Sequence, residues 1–492
     1  MADNDLRLRL LIKSTETADL DGITICINDE KWHLAEFNYE ATMKCRELPS
    51  FACISYRWYG GREPNPFYEG KLMSDLTLPS LTTAVLNSNV SAFWIDAFCV
   101  PPEGILKRRT LENMGLIYHL ATEVLVVLSG CNSETAKLIA GTDDLTSQPF
   151  SAIDRAVHDL NADEWVKSIW TYQECVNSRN YTFLRSGAAI AEAAGTDLVV
   201  DGRKFFNRLG QALSIYRKGK KLNEYDMSRF MPHVHALEDL MADYELSDFS
   251  QRSALQVLSN LDRRYCQDSM DFFYSLIGSI TSEIIARPAS LTIAEVCETF
   301  IHICEKKNDF SFIYTSAPRN NRPGGRRCYP IAGPIHSILP WHSWGERQRG
   351  KLDQSGLSLE AMISLEPSTT LGSAGKTFIL QWQTTIPARL PDQLDGDSDL
   401  CIAIRTFAIL QLMLFGGSVT HVLTSHGIFF PEEPVEGISK VLVSTDIVWT
   451  FGAPGLVKAY SENEVRYMPG VFVGQLVIDI ASHILLEGTN TE

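Results

Sequence analysis

Three short apolar runs, separated by helical patterns, constrain this chain more than any other feature. They are Phe51–Tyr56 (FACISY), Val90–Ile95 (VSAFWI) and Val124–Leu128 (VLVVL). Each is short and lacks polar alternation, which is how a strand covered on both faces reads. Between the first two, residues 79–86 read as a helix with Pro79 at its first position and Leu81 and Val85 one turn apart. Between the second and third, Leu111, Met114, Ile117, Tyr118 and Ala121 fall on one helical stripe. A further helix is expected from Asn161, with Glu164 three residues on as in a capping box, carrying Trp165, Ile169, Trp170 and Val176. Strands alternating with helices in this way specify an α/β domain built on a parallel sheet.

The rest of the chain uses a different grammar. Alternation in Leu6–Leu10 and Ile23–Ile27 predicts a β-containing lead-in over residues 1–50, ahead of the sheet domain at 51–200. Residues 201–315 are mostly helical in pattern, with helices expected at 205–216, 233–244, 254–261, 272–285 and 293–304. The Pro/Gly/Arg-rich run 316–327 marks a boundary. Beyond it, residues 328–492 read as mixed α+β, with strands at 357–365, 376–385 and 439–448 and a helix at 402–415. The stretch 402–419 is interrupted by Arg405 and Gln411, so a buried helix is expected and no membrane span.

Charge and cysteine usage narrow the partners. Asp and Glu number 60 against 44 Lys and Arg, a net charge of −16, and so acidic a surface repels phosphate backbones. Nucleic acid is therefore not the expected partner. The eleven cysteines are odd in number and contain no C-x-x-C, which fits a reduced, cytoplasmic protein without disulfides or zinc. Met1–Asp5 shows no signal-peptide pattern.

In an open parallel sheet, ligands gather beyond the carboxyl ends of the strands. That rule selects Ser55, Tyr56, Arg57 and Trp58 with Gly60-Gly61 after the first strand, Asp96 after the second, and Ser129-Gly130 after the third. The helix near 161–177 adds Trp170 and Glu174, whose i, i+4 spacing places an aromatic plate one turn from a carboxylate. Such a pair suits a flat, cationic or ribose-bearing ligand. Plainer roles compete for the same residues. A Trp and a Glu on one amphipathic helix ordinarily mean core and solvent, Arg57 and Asp96 can brace adjacent strand ends as an ion pair, and Trp58 and Trp94 read as core rings. Ser55 has no nucleophile-elbow sequence, and Cys99 and Cys175 read as buried thiols. His233 and His235 fall on different helix faces, no P-loop occurs, and the Arg319–Arg327 cluster reads as a solvated linker. No metal site is expected.

These residues carry a family resemblance. Phe51 to Trp58 with Gly60, then Phe93-Trp-Ile-Asp96-Ala-Phe-Cys99-Val100, resembles the fungal heterokaryon-incompatibility (HET) domain, with its A-L-S-Y-x-W-G strand and W-I-D-A-L-C-I-N-Q segment. Asn113-Met114 through Ile117-Tyr118 to Val124, and Trp165 through Trp170-Thr171-Tyr172-Gln173-Glu174, are similar to the motifs that follow in that family. Downstream, Asp271-Phe-Phe-Tyr274-Ser-Leu-Ile-Gly278 resembles D-x-x-Y-x-L-L-G, and Leu339-Pro340-Trp341 with Trp344 is loosely similar to L-P-S-W-x-x-D-W. The HET domain is in turn similar to the Toll/interleukin-1 receptor (TIR) domain. That resemblance implies a flavodoxin-like fold and a role in self/non-self recognition and programmed cell death.

It also implies a chemistry: hydrolysis of NAD⁺ at the nicotinamide–ribose bond, with NAD⁺ as substrate and no further cofactor. Glu174 would be the catalytic carboxylate, and Trp170 or Trp58 would stack on a ring. Arg57 beside Gly60-Gly61 would meet the pyrophosphate, with Ser55, Tyr56 and Asp96 completing the nucleotide site. Expected partners are NAD⁺ or a related nucleotide, a second copy of the chain, or an incompatibility partner protein. Two departures leave alternatives open. Cys99-Val100-Pro101-Pro102 lacks the family's Asn-Gln pair, and Tyr59 is inserted before Gly60. The alternatives are a non-catalytic self-associating module and a silent nucleotide sensor.

Overall fold

The structure is a computed structural model, and it describes residues 6–14, 23–39, 48–58, 60–178, 180–185, 199–220, 236–237, 240–241, 252–285, 290–317, 329, 335–341, 343–345, 347–386, 396–461, 464–476 and 482–487. The expected helix at 233–244 for the most part, His233, His235, Tyr59 and the Arg319–Arg327 cluster lie outside them. The chain divides into two compact units, residues 1–221, 236–249 and 264–292 in one and the remainder in the other.

The first unit is built on an eight-stranded sheet. Its strands are β1 (Arg7–Lys13), β2 (Thr24–Ile27), β3 (Glu30–Asn38), β4 (Ala52–Tyr56), β7 (Ala92–Trp94), β8 (Glu123–Leu128), β9 (Tyr181–Arg185) and β10 (Val199–Asp201), while β5 (Arg62–Pro64) and β6 (Leu72–Ser74) form a separate hairpin. The order is β10-β9-β8-β4-β7-β1-β3-β2. The β4–β7, β4–β8 and β8–β9 pairs are parallel and carry the three apolar runs at the centre, where β4 is buried along its whole length. Antiparallel strands extend the sheet on both sides, so the residues of the lead-in are part of the same sheet. Continuous apolar runs mark the covered centre, and the alternating β1 marks a strand with unlike faces.

Helices α1 (Thr77–Asn87), α2 (Asp96–Cys99), α3 (Gly104–Glu112), α4 (Met114–Leu120), α5 (Ser133–Ala140), α6 (Phe150–Ala162), α7 (Glu164–Lys167), α8 (Ile169–Val176) and α9 (Gly202–Lys220) connect or follow these strands, and α10 (Ser269–Ile280) packs on α4 and α8. The helix expected from Asn161 is two short ones. Asn161 ends α6, and the cap is Asp163, whose side chain accepts from the Trp165 N–H at 2.9 Å. The capping-box spacing pointed two residues too early because Asp163 also accepts from the Gly130 N–H, which fixes it at the turn.

The second unit is dominated by an antiparallel sheet whose longest strands are Gly356–Leu365, Gly452–Ser461 and Glu464–Gly474, with helices Ala254–Leu261 and Ile293–Lys306 among its other elements. The strand expected at 376–385 is a helix, Ser373–Thr384. Its Phe378-Ile379-Leu380 run suggested a strand, but Ile379 and Trp382, three apart, are the side chains that enter the core. Gly375 allows the close approach, since a Cβ there would stand 2.5 Å from the His426 carbonyl carbon. The 402–415 region is the helix Asp399–Leu412, and among the described residues no helix is long and apolar enough to cross a membrane.

Candidate functional site

A cavity of about 470 Å³ opens at the carboxyl ends of β4 and β7. Glu174 and Trp170 of α8, Tyr56 of β4, Trp58 just beyond it and Asp96 at the start of α2 all line it. The i, i+4 pair on the helix and the tips of the two strands therefore share one hollow. The cavity lies on the β7 side of β4, whereas Ser129-Gly130 after β8 is not in its lining.

The local sequence explains how Glu174 reaches that hollow. Between α7 and α8 the helical path breaks at Ser168, freeing backbone groups that must be paired. The segment after Arg264 pairs them: the Tyr265 N–H donates to the Lys167 carbonyl at 2.7 Å, the Ile169 N–H donates to the Tyr265 carbonyl at 3.1 Å, and Arg264 Nη1 donates to the Val166 carbonyl at 2.7 Å. Arg264 also lies over the Tyr172 ring at 5.2 Å. Thr171 Oγ1 closes the break from the other side by donating to the Trp165 and Ser168 carbonyls. The break turns α8 so that Trp170 and Glu174 face the cavity, and it carries Tyr265 and Asp271 to the same wall.

Glu174 is only 4% exposed, and its carboxylate accepts from Ser55 Oγ at 2.6 Å and from the Tyr118 hydroxyl. Ser55 is in turn fixed by Trp165, whose Nε1 donates to Ser55 Oγ at 2.7 Å. Burial, with the nearby Asp96 charge adding to it, pushes the Glu174 carboxyl up to about 8; the Ser55 and Tyr118 hydrogen bonds oppose the shift. Asp96 accepts from Trp58 Nε1 at 2.5 Å and from the Ala97 N–H at 2.7 Å, and burial raises it to about 6 against those bonds. Asp271, a third carboxyl in the lining, bonds Trp170 and is raised to about 6, again chiefly by burial.

All three shifts have a consequence for stability. A carboxyl whose folded pKa lies above its unfolded value stabilises the fold fully below the unfolded value and loses that contribution as pH rises through the folded one. Glu174, Asp96 and Asp271 together are expected to reduce the unfolding free energy by several kcal/mol between about pH 4 and 8, and the thermal midpoint with it. Calorimetric scans across that range check it, and a midpoint that rises steadily to pH 8 contradicts it. Ser55→Ala strips Glu174 of one donor and leaves Trp165 Nε1 buried and unpaired, so it should cost about 1–3 kcal/mol in denaturant unfolding.

The other sequence candidates fall in different places. Ser55 lies beneath the cavity as support for Glu174, outside the lining. Arg57 is also outside the lining and acts electrostatically on Asp163; no ion pair joins it to Asp96 among the described residues. Gly60 has φ of +143°, and a Cβ there would stand 2.6 Å from Asp75 Oδ1, so it serves the turn into the β5–β6 hairpin. Trp94 is fully buried as expected of a core ring, but Trp58 is 40% exposed at the cavity mouth, because its indole N–H is turned toward Asp96. Cys99 and Cys175 are buried thiols. Sequence reasoning missed the hairpin and the 264–271 segment as cavity walls; the D-x-x-Y pattern containing Asp271 was the one available signal.

Residues 51–174 match the family model described as Heterokaryon incompatibility protein (HET), a span that begins at the first central strand and ends at Glu174. No curated protein and no solved structure matches the chain.

Proposed function

We propose that the HET domain at residues 51–174, which makes this a heterokaryon-incompatibility-type protein, works by binding NAD⁺ in the cavity between β4, β7 and α8 and cleaving its nicotinamide–ribose bond. The observation that carries the reading is a buried carboxyl, Glu174, that opens into a ligand-sized cavity beside an aromatic ring and, among the described residues, has no cation paired with it.

Departure of nicotinamide neutralises its ring charge and moves positive charge onto the ribose. A carboxylate in a dry site stabilises that centre far better than it would in water. At neutral pH Glu174 is mostly protonated in the free protein, and a cationic ring docking beside it favours loss of that proton. Asp96 stays ionised nearer neutrality, so the floor of the cavity attracts cations before Glu174 ionises. Trp170, half-buried in the wall and held by Asp271, offers a face for the nicotinamide ring. Water then takes the ribose carbon, giving ADP-ribose, nicotinamide and a proton.

One observation favours a silent sensor as the second reading: the Glu174 carboxyl is already held by the Ser55 and Tyr118 hydroxyls without any ligand. Incubating the purified chain with NAD⁺, with and without a crowding agent, and following nicotinamide by chromatography separates the two. Turnover supports the glycohydrolase. Binding of NAD⁺ without turnover under any condition supports the sensor, and oligomers that form without any NAD⁺ binding point to an interaction module.

A further inference from the structure

The mouth of the same cavity has a charge pattern that Glu174 chemistry does not use. The β5–β6 hairpin forms one wall, joined to α2 by Asn65 Nδ2 donating to the Ala97 carbonyl at 2.7 Å and the Tyr68 hydroxyl donating to the Phe98 carbonyl at 2.6 Å. It contributes Arg62 from β5 and Lys71 from just before β6, while α3 contributes Lys107. All three are exposed cations lining a cavity whose floor is acidic, in a chain of net charge −16. Arg62 lies over the Trp58 ring at 5.7 Å. Lys71 is paired with Glu103 at 3.0 Å, but both side chains are solvated, and such a pair yields readily to a competing anion. Tyr265, 56% exposed, adds an aromatic face to the same mouth.

We infer that Arg62, Lys71 and Lys107 form a phosphate-binding subsite that selects nucleotides carrying a 5′-diphosphate. The inference rests on the nucleotide reading of the cavity and replaces Arg57, which lies outside the lining, as the expected pyrophosphate contact. Cations at the mouth and carboxyls at the floor give the cavity two ends of opposite sign. A ligand with a cationic ring at one end and a diphosphate in its middle satisfies both ends at once. The Arg fork and the two Lys point charges suit phosphate oxygens, and an exposed location makes the attraction sensitive to salt.

ADP is the probe, because it contains the diphosphate and no scissile nicotinamide bond. By calorimetry, ADP should bind the wild-type chain at least tenfold more tightly than adenosine. Arg62→Ala/Lys71→Ala/Lys107→Ala should lose at least tenfold in ADP affinity, and raising salt should weaken only the wild-type interaction appreciably. The three side chains are exposed, and an unchanged thermal midpoint verifies that the variant folds; Lys107→Glu alone supplies a second, milder test with a loss in the same direction. Equal affinity for ADP and adenosine, undiminished ADP binding by the triple variant, or no ADP binding by wild type overturns the subsite. A wild type that binds ADP through these residues yet never releases nicotinamide from NAD⁺ keeps the subsite and ends the glycohydrolase reading.

Discussion

Glu174→Gln is expected to reduce nicotinamide release by about a thousandfold or more while making the protein more stable above pH 8. The two effects share one cause. The carboxylate is held where water cannot solvate it, so its ionised form is costly to the fold and correspondingly effective toward a developing cation. Gln keeps the shape and can still accept from Ser55 and Tyr118, but it carries no charge. The expected loss matches what removal of one electrostatic stabiliser costs elsewhere, roughly 10²–10³ in rate, with more where the group is the main charge in the site. The stability gain should amount to a few kcal/mol at pH 8.5 and vanish near pH 4, because below its unfolded pKa the native carboxyl is neutral in both states. Release assays and thermal scans of the same preparations check both halves. Unchanged release in Glu174→Gln removes this residue from the chemistry, and a loss of stability at pH 8.5 contradicts the stated origin of its shift.

Gly115→Ala should have the largest effect on folding, about 3 kcal/mol or more. Helices α4 and α10 touch backbone to backbone there: a Cβ on Gly115 would stand 2.1 Å from the Gly278 carbonyl oxygen and 2.6 Å from its Cα. No rotamer change relieves a clash with main chain, so the helices must separate. The cavity feels that movement from two sides. Helix α4 carries Tyr118, which bonds Glu174, and α10 carries Asp271, which bonds Trp170. A denaturant midpoint lowered by the expected amount, together with weakened NAD⁺ binding in whatever remains folded, is the predicted result; a variant as stable as wild type would show that the helices do not meet as described. Gly278→Ala is expected to be milder. Its added Cβ meets Gln173 Oε1 at 1.8 Å, the end of a side chain that has some freedom to turn even though it is buried.

The central strands and the Trp170–Glu174 pair were legible in the sequence because they rest on local periodicity. Continuous apolar runs become covered strands, and i, i+4 residues share a helix face wherever that helix goes. What stayed hidden depends on distant partners. The break at Ser168 is stabilised by backbone pairing with Tyr265, almost a hundred residues on, and no local signal announces it. Arg57 is the first cation after β4 in the sequence, yet it acts on Asp163 and lies outside the lining. The cations that do line the mouth, Arg62, Lys71 and Lys107, are scattered over three places in the sequence and form a group only when the hairpin folds against α2 and α3. The strand misassigned at 376–385 failed for a related reason: three consecutive apolar residues fit either period, and tertiary packing at Gly375 decides for the helix.

A neutral Glu174 should lose its proton when a cationic ring docks beside it, and proton release on binding measures that directly. Titrating the carbocyclic analogue of NAD⁺, which keeps the cationic ring and cannot be hydrolysed, into the protein at pH 7 in two buffers of different ionisation enthalpy, with Glu174→Gln and ADP-ribose as controls, counts protons released by binding alone. The predicted result is about one proton for the analogue with wild type, and none for Glu174→Gln or for ADP-ribose, which lacks the cationic ring. Binding of the analogue with no proton release, or a release that persists in Glu174→Gln, would contradict it.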